Sequence, residues 1–386
     1  MKVNDKFFWE ELNVKICIFF HRFDGGGAER TTVILANELY RRGHNITIAV
    51  RYNKGPLKAL LNPEIPVIDM KLPENAKLTN NLKNILCLIK LMNGKEYDLI
   101  VAAMSEMAQV AAAAHALSSK VTPLICVLHN TMSVERTSFQ TARHFFFNFF
   151  DRHYSRVIAV SEAVRVDYLS CCRTNPGKAV TIYNPVIDDR IFKLSRQRPL
   201  HPWLEQDRTY TTLLMVGRLT QQKNHSLMFH ALKLLRDTGD FRLILLGEGE
   251  QQPVLVREAE ELGLAPWIDF AGFSDNPYGY MASCDCLVLS SHYEGLPTVL
   301  IEAMACGCRI VSTDCPSGPR EILLEDKYGV LVEMDNPRAL KAGILRALEQ
   351  KPDREALQKR SMDFSVEKAA KEYEKIFAET VAISTE

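Results

Sequence analysis

Glu294-Gly295-Leu296-Pro297-Thr298-Val299-Leu300-Ile301-Glu302-Ala303 sets two carboxylates on either side of a Gly-Leu-Pro turn. The apolar run before it, Cys286-Leu287-Val288-Leu289-Ser290, reads as a buried parallel strand bounded by turn residues. Pro297 and Thr298 suit the first positions of a helix, and the run to Cys306 is apolar enough to lie beneath a sheet. Glu294 is then expected at a strand's C-terminal lip, and Glu302 about one turn into the next helix. In an open α/β sheet that lip is where ligands bind, and a helix N-terminus favours anions. Carboxylates accept hydrogen bonds from hydroxyls, while amides and cations hold phosphates. The arrangement suits a sugar joined to a diphosphate.

Strand-like runs alternate with helical patterns along the whole chain, which predicts parallel α/β layers. In the first half the strands are expected at Val14–Phe20, Asn45–Val50, Asp98–Val101, Pro123–Leu128 and Arg156–Val160. Helices fall at Ala28–Arg42, Leu78–Asn93, Met107–Leu117 and Thr141–His153, and Ser161 with Glu162 opens another. The polar, proline-bearing stretch around Leu194–Pro202 reads as a linker. Strands then restart at Thr211–Val216, Arg242–Leu246, Ile268–Ala271, Cys286–Leu289 and Arg309–Ser312, with helices opening near His225, Pro253, Pro277 and Thr298. Two more helical patterns, Pro337–Gln350 and Ser365–Thr380, fill the tail. The expected organisation is a Rossmann-like domain over residues 1–195, a linker at 196–208, a second Rossmann-like domain over 209–364, and a last helix in 365–386.

Length and composition agree with this. A chain of 386 residues is long for one core, and 47% hydrophobic with 24% charged residues is globular usage. Zero formal net charge argues against a nucleic-acid binder held by excess positive charge. The first apolar run, Val14 to Phe20, is short and ends at His21-Arg22, so it reads as a strand rather than a leader. No run approaches the ~18 apolar residues of a spanning helix. Ten cysteines without Cys-x2-Cys spacing read as reduced thiols of a cytoplasmic protein.

Several turns carry candidate ligand contacts. Gly25-Gly26-Gly27 lies between the first strand and its helix, where glycine lets a ligand approach the backbone. A plain tight turn explains it as readily, and Arg30 stands where a dinucleotide fingerprint needs its third glycine. Gly217-Arg218-Leu219 with Lys223 puts a planar fork and a point charge at one lip, suited to a diphosphate. Gly247-Glu248-Gly249 ends the next strand. His129 follows Pro123–Leu128, although a lone histidine is more often structural. Arg320, in Ser317-Gly318-Pro319-Arg320-Glu321, is a ligand contact or a helix-start charge. The Phe145–Phe150 stretch, aromatic beside basic residues, reads as a core helix in preference to a lipid-docking one.

Taken together the motifs resemble the retaining glycosyltransferases of family 4, whose fold is called GT-B. The Gly-Gly turn, Val216-Gly217-Arg218-Leu219-x3-Lys223-Asn224, Gly247-Glu248-Gly249, Phe270-Ala271-Gly272-Phe273 and Glu294-Gly295-Leu296-Pro297-x4-Glu302-Ala303-Met304 occur in the expected order. The resemblance implies two Rossmann-like, doubly wound α/β domains facing each other across a cleft. It implies that Arg218 and Lys223 clamp the donor diphosphate and that Glu302 binds ribose. Glu294 would bind the transferred sugar, assisted by backbone amides after Gly295. Gly217, Gly247, Phe273, Leu296, Pro297 and Thr298 would line the donor site, and Gly26, Gly27 and His129 would close over donor and acceptor. Glu294, Arg218, Lys223 and His129 are then the candidate catalytic residues. The last helix would cross back to the first domain.

The expected chemistry is transfer from a nucleotide-sugar, UDP preferred to GDP, to a glycan or polyprenyl-diphosphate-linked acceptor. The setting is bacterial surface polysaccharide or lipopolysaccharide synthesis at the inner membrane face. The chain contains no Asp-x-Asp, and no metal or other cofactor is expected. The acceptor hydroxyl would attack on the face the nucleotide leaves, with a departing phosphate oxygen taking the proton. A UDP-sugar 2-epimerase and a non-catalytic nucleotide-sugar-binding partner are the alternatives.

Overall fold

The computed structural model describes residues 13–71, 77–94, 97–119, 122–133, 147–172 and 174–385. The N-terminal residues 1–12 and the 141–146 part of the expected aromatic helix lie outside them. The chain divides into two compact units, one of residues 1–185 with 366–386 and one of residues 186–365.

The first unit is built on a seven-stranded, all-parallel sheet. Its strands are β1 (Lys15–Arg22), β2 (Asn45–Tyr52), β3 (Val67–Asp69), β4 (Leu99–Ala103), β5 (Leu124–Leu128), β6 (Arg156–Ala159) and β7 (Ala179–Thr181), in the order β3-β2-β1-β4-β5-β6-β7. The central strands are continuous apolar runs because helices cover both faces of a parallel sheet. Ile18 pairs with Ile48 on one side and Val101 on the other, and all three are buried. Crossover helices run Gly27–Arg41, Lys77–Asn93, Ser105–Leu117 and Glu162–Cys171, the last capped by Ser161 Oγ, which accepts from Val164 N. The final helix, Val366–Thr385, belongs to this unit: Glu374 accepts from Arg42 Nη1 at 3.2 Å and sits 3.2 Å from His44 Nε2.

The second unit carries a six-stranded parallel sheet: β8 (Thr211–Val216), β9 (Phe241–Leu246), β10 (Ile268–Gly272), β11 (Cys286–Leu289), β12 (Ile310–Thr313) and β13 (Val330–Val332), ordered β10-β9-β8-β11-β12-β13. Leu213, Leu243, Val288 and Val311 from the strands pack with Phe229, Leu232, Leu340 and Ile344 from the helices His225–Arg236 and Pro337–Glu349. Helix Thr298–Ala305 is buried from Val299 onward, as its composition requires.

The join between the units falls between Pro185 and Val186, not at 196–208. Val186 N and Ile187 N both donate to Phe364 O, and helix Asp189–Ser195 packs on helix Pro277–Ser283. The proline-bearing stretch that reads as a linker is pinned to the second unit. His201 Nε2 lies 2.8 Å from Asp269, and Thr212 Oγ1 donates to Trp203 O at 2.7 Å. Its composition is that of a loop, but its one tryptophan and one histidine anchor it.

Candidate active site

The second sheet changes direction at β8: the chain builds outward to β9 and β10, then returns past β8 to β11. Loops leaving two such strands diverge and open a crevice at the strands' C-terminal ends. The segment 217–224 leaves β8 and the segment 290–297 leaves β11. Main-chain groups tie the two together. His292 N donates to Gln222 O at 2.9 Å, Gln222 Nε2 donates to Tyr293 O at 2.8 Å, and Ser290 Oγ lies 2.9 Å from Lys223 O and 2.8 Å from Asn224 O. Asn224 is in the left-handed region at φ 48°, tolerable for asparagine, and its side chain caps helix His225–Arg236 by accepting from Leu227 N.

Lys223 and Glu294 meet at this seam. Lys223 Nζ donates to Glu294 Oε1 at 2.6 Å, and Ser291 Oγ donates to the same oxygen at 2.6 Å. The side chains are 18% and 8% exposed. Oε2 of Glu294 accepts no hydrogen bond among the described residues, so one oxygen is held and the other is available. The loop behind is fixed by Ser317, whose Oγ donates to Glu294 O, and by Glu294 N donating to Pro316 O at 3.4 Å. Ser317 and Gly318 take positive φ of 59° and 91°, and a Cβ on Gly318 would strike the Pro297 ring. Arg218 is exposed, and its side chain makes no ion pair or hydrogen bond among the described residues.

Glycines bring two further segments together. A Cβ on Gly247 would collide with Gly217 O, and one on Gly249 with Leu219 O. Backbone therefore passes directly over backbone, with Gly217 N donating to Leu246 O and Leu219 N to Glu248 O, both at 2.9 Å. Gly295, Leu296 and Pro297 are buried in the turn that starts helix Thr298–Ala305, whose N-terminus has no side-chain cap. Glu302, 8% exposed, lies one turn along that helix from Thr298. Phe273 follows the edge strand β10 and is 64% exposed. His225 is buried beside Lys223; burial, with the lysine's charge, pushes its imidazole down to about 4.

Of the remaining candidates, the Gly25–Gly27 turn and His129 sit in the first unit, at the C-terminal ends of β1 and β5, and Arg320 sits in the second, in the helix Pro319–Leu323 after β12. Gly26 is the N-cap of helix Gly27–Arg41, where a Cβ would meet the Glu29 carboxylate. His129 directly follows β5, and burial pushes its pKa down to about 4, so it is neutral at physiological pH. Arg320 is paired with Asp314 and lies 3.6 Å from Glu325.

A held carboxylate with one available oxygen, in company with two cations and an uncapped helix N-terminus, can take a hydroxylated group and an anion together. Sequence reading missed Ser291, Gln222 and Ser317, which fix the pair. The one signal was the polar Ser290-Ser291 doublet ending an apolar strand.

Residues 25–190 match Glycosyltransferase Family 4, and residues 199–363 match Glycosyl transferases group 1. Over 182 residues the chain is 37% identical to the N-acetylgalactosamine-N,N'-diacetylbacillosaminyl-diphospho-undecaprenol 4-alpha-N-acetylgalactosaminyltransferase of Campylobacter jejuni, covering 47% of each chain. The chain spans about half the length, or less, of the more identical relatives it matches. A second Campylobacter jejuni protein, the GalNAc-alpha-(1->4)-GalNAc-alpha-(1->3)-diNAcBac-PP-undecaprenol alpha-1,4-N-acetyl-D-galactosaminyltransferase, aligns over 95% of this chain and 99% of its own at 24% identity. Among solved structures, Anabaena HepE in complex with UDP and glucose is similar with a TM-score of 0.77 at 22% identity, covering 95% of this chain and 99% of that one. The two family matches take in all but the first 24 residues, the segment 191–198 and the tail after 363, and the chain belongs to the glycosyltransferases, with a family 4 first unit and a group 1 second unit in the GT-B fold.

Proposed function

We propose that the protein transfers a sugar from a UDP-sugar to a polyprenyl-diphosphate-linked or glycan acceptor in bacterial surface polysaccharide synthesis, without a metal. The observation that carries this reading is the Lys223–Glu294 pair at the β8/β11 switch point, with Oε2 of Glu294 uncommitted and Arg218, in the same loop as Lys223, lacking a counter-charge among the described residues. The two cations would neutralise the diphosphate as the sugar–phosphate bond breaks, which is the charge a metal otherwise supplies. Oε2 would accept from a hydroxyl of the transferred sugar, and Glu302 from ribose. With no protein nucleophile assigned, attack on the face the nucleotide leaves would retain the anomeric configuration. Similarity to two Campylobacter jejuni transferases named for undecaprenol-linked acceptors supports the acceptor class.

A peripheral position on the membrane fits helix Lys77–Asn93, which has no acidic residue. Leu82 and Leu86, four apart, are 60% and 58% exposed on the helix that also exposes Lys83 and Lys90. No helix among the described residues is long and apolar enough to cross a membrane.

The test is a thermal-shift series with UDP- and GDP-sugars, followed by transfer from the stabilising donor to a polyprenyl-diphosphate-linked N-acetylhexosamine, with product anomericity read by NMR. Stabilisation by no nucleotide-sugar would overturn the reading. Donor interconversion without acceptor would identify an epimerase instead. Cosedimentation with anionic vesicles, abolished by Leu82→Ser with Leu86→Ser, tests the membrane contact.

A further inference from the structure

The first sheet has its own switch point, between β1 and β4, and the side chains there are not all satisfied. Arg51, at the end of β2, is 6% exposed. Its Nη1 donates to Glu106 Oε1 at 3.0 Å and its Nη2 to Asn81 Oδ1, while its Nε has no partner among the described residues. Among the described residues His21 Nδ1, Asn53 Oδ1 and both amide atoms of the fully buried Asn84, about one turn along the helix from Asn81, also lack a partner. A buried guanidinium with unmet neighbours costs stability relative to an apolar filling, so fold stability does not account for it.

What this cluster holds up is Glu106, in the first turn of helix Ser105–Leu117. Its side chain is 68% exposed, one carboxylate oxygen is taken by Arg51, and the other has no hydrogen bond among the described residues. A counter-ion whose only task was to neutralise Arg51 gains nothing from facing water. The helix is aimed by Met104, held at φ 79°, a conformation sparsely populated by non-glycine residues and concentrated at functional sites. His21, at the end of β1, is half-buried. The parallel register pairs Phe20 with Val50 and Arg22 with Tyr52, which sets His21 alongside Arg51, and the His21 ring packs edge-on against Tyr52 at 5.5 Å. Burial and the Arg51 charge lower its pKa, and the Glu106 charge opposes them.

We propose that Glu106, positioned by Arg51 and flanked by His21, hydrogen-bonds the hydroxyl groups of the acceptor's terminal sugar. The chemistry selects a neutral sugar over a phosphate. An exposed carboxylate repels phosphate oxygens, whereas a pyranose hydroxyl donates to the free oxygen and can accept from the imidazole. A switch point is also where the loops leaving a parallel sheet open a crevice. The proposal rests on the sugar-transfer reading above and names the acceptor side of it.

The experiment uses the full chain with a UDP-sugar donor and octyl N-acetylhexosaminide as acceptor probe. Glu106→Gln and Glu106→Ala are expected to raise the acceptor KM about 10-fold or more, the scale of losing a charge-assisted hydrogen bond. Donor KM and acceptor-free hydrolysis of the UDP-sugar are expected to stay within about 2-fold. Glu106→Asp should recover part of the loss, and Arg51→Lys, acting through Glu106, should raise acceptor KM without changing donor KM. An unchanged acceptor KM in a folded Glu106→Ala protein would leave Glu106 a counter-ion only and overturn the proposal. If the wild type turns over no UDP-sugar, the transfer reading falls. The acceptor site is then decided by calorimetry, standing if octyl N-acetylhexosaminide binds the wild type at least about 10-fold more tightly than Glu106→Ala, and falling if it binds both alike or neither.

Discussion

Replacing Lys223 separates what the Lys223–Glu294 pair does for stability from what it does for chemistry. At 2.6 Å the gross attraction is about 6 kcal/mol at an effective dielectric of 20. Withdrawing both charges from water offsets most of it, leaving a net coupling of about 1–3 kcal/mol. Lys223→Met strands a carboxylate that is 8% exposed with Ser291 as its remaining donor, at a cost of about 3 kcal/mol. Glu294→Gln strands an ammonium that reaches water through its flexible stem, at about 1–2 kcal/mol. The double variant removes both charges and should be more stable than the sum of the single effects allows. Urea unfolding of the four proteins at neutral pH closes the cycle. Turnover should behave differently. Each single variant is expected to lose about 100-fold or more, and the double variant to recover none of it. Coupling within about 0.5 kcal/mol of zero would refute the pair. Recovered turnover in the double variant would refute its part in catalysis.

Arg218→Ala is expected to leave urea stability within about 0.5 kcal/mol, because the side chain is exposed and unpaired among the described residues, yet to lower turnover about 100-fold. Gly247→Ala should destabilise by about 3 kcal/mol or more and abolish UDP-sugar thermal shifts, since its methyl group meets Gly217 O; a normal shift would show that the two segments yield easily. His129 and His225 are depressed from the ordinary 6.5 to about 4. A base with a lowered folded pKa binds its proton more readily when unfolded, so its share of stability is complete above 6.5 and is lost as pH falls toward 4. Each gives a slope of at most about 1.4 kcal/mol per pH unit in that window. His225→Asn should flatten the slope between about pH 6 and 5 in urea titrations, and an unchanged slope would refute the neutral buried histidine.

The central strands were readable because a strand covered on both faces must be apolar throughout, as in Leu287-Val288-Leu289 and Leu213-Leu214-Met215. Val67–Asp69, Ala179–Thr181 and Val330–Val332 escaped. They are three residues long, each lies at a sheet edge, and no periodicity fits in so short a span. The same limit applies at the site. Gly217, Lys223 and Glu294 announce themselves by turn chemistry and charge, so their position at the lips of β8 and β11 was inferable. That one serine hydroxyl would share an oxygen of Glu294 with Lys223 depends on how two loops approach each other when the paired residues stand 71 apart in sequence. The Arg51–Glu106 contact was hidden for the same reason. Neither residue belongs to a motif, and only sheet order brings β2 and the helix after β4 near each other.

The seam between segments 217–224 and 290–297 is sewn mostly with main-chain groups, the Gln222 amide and the Ser290 hydroxyl, with Asn224 Nδ2 also 3.5 Å from His292 Nδ1. Salt that screens the ion pair would therefore weaken it while leaving its two carriers in register. Donor binding lost to added salt would then return on dilution as fast as mixing.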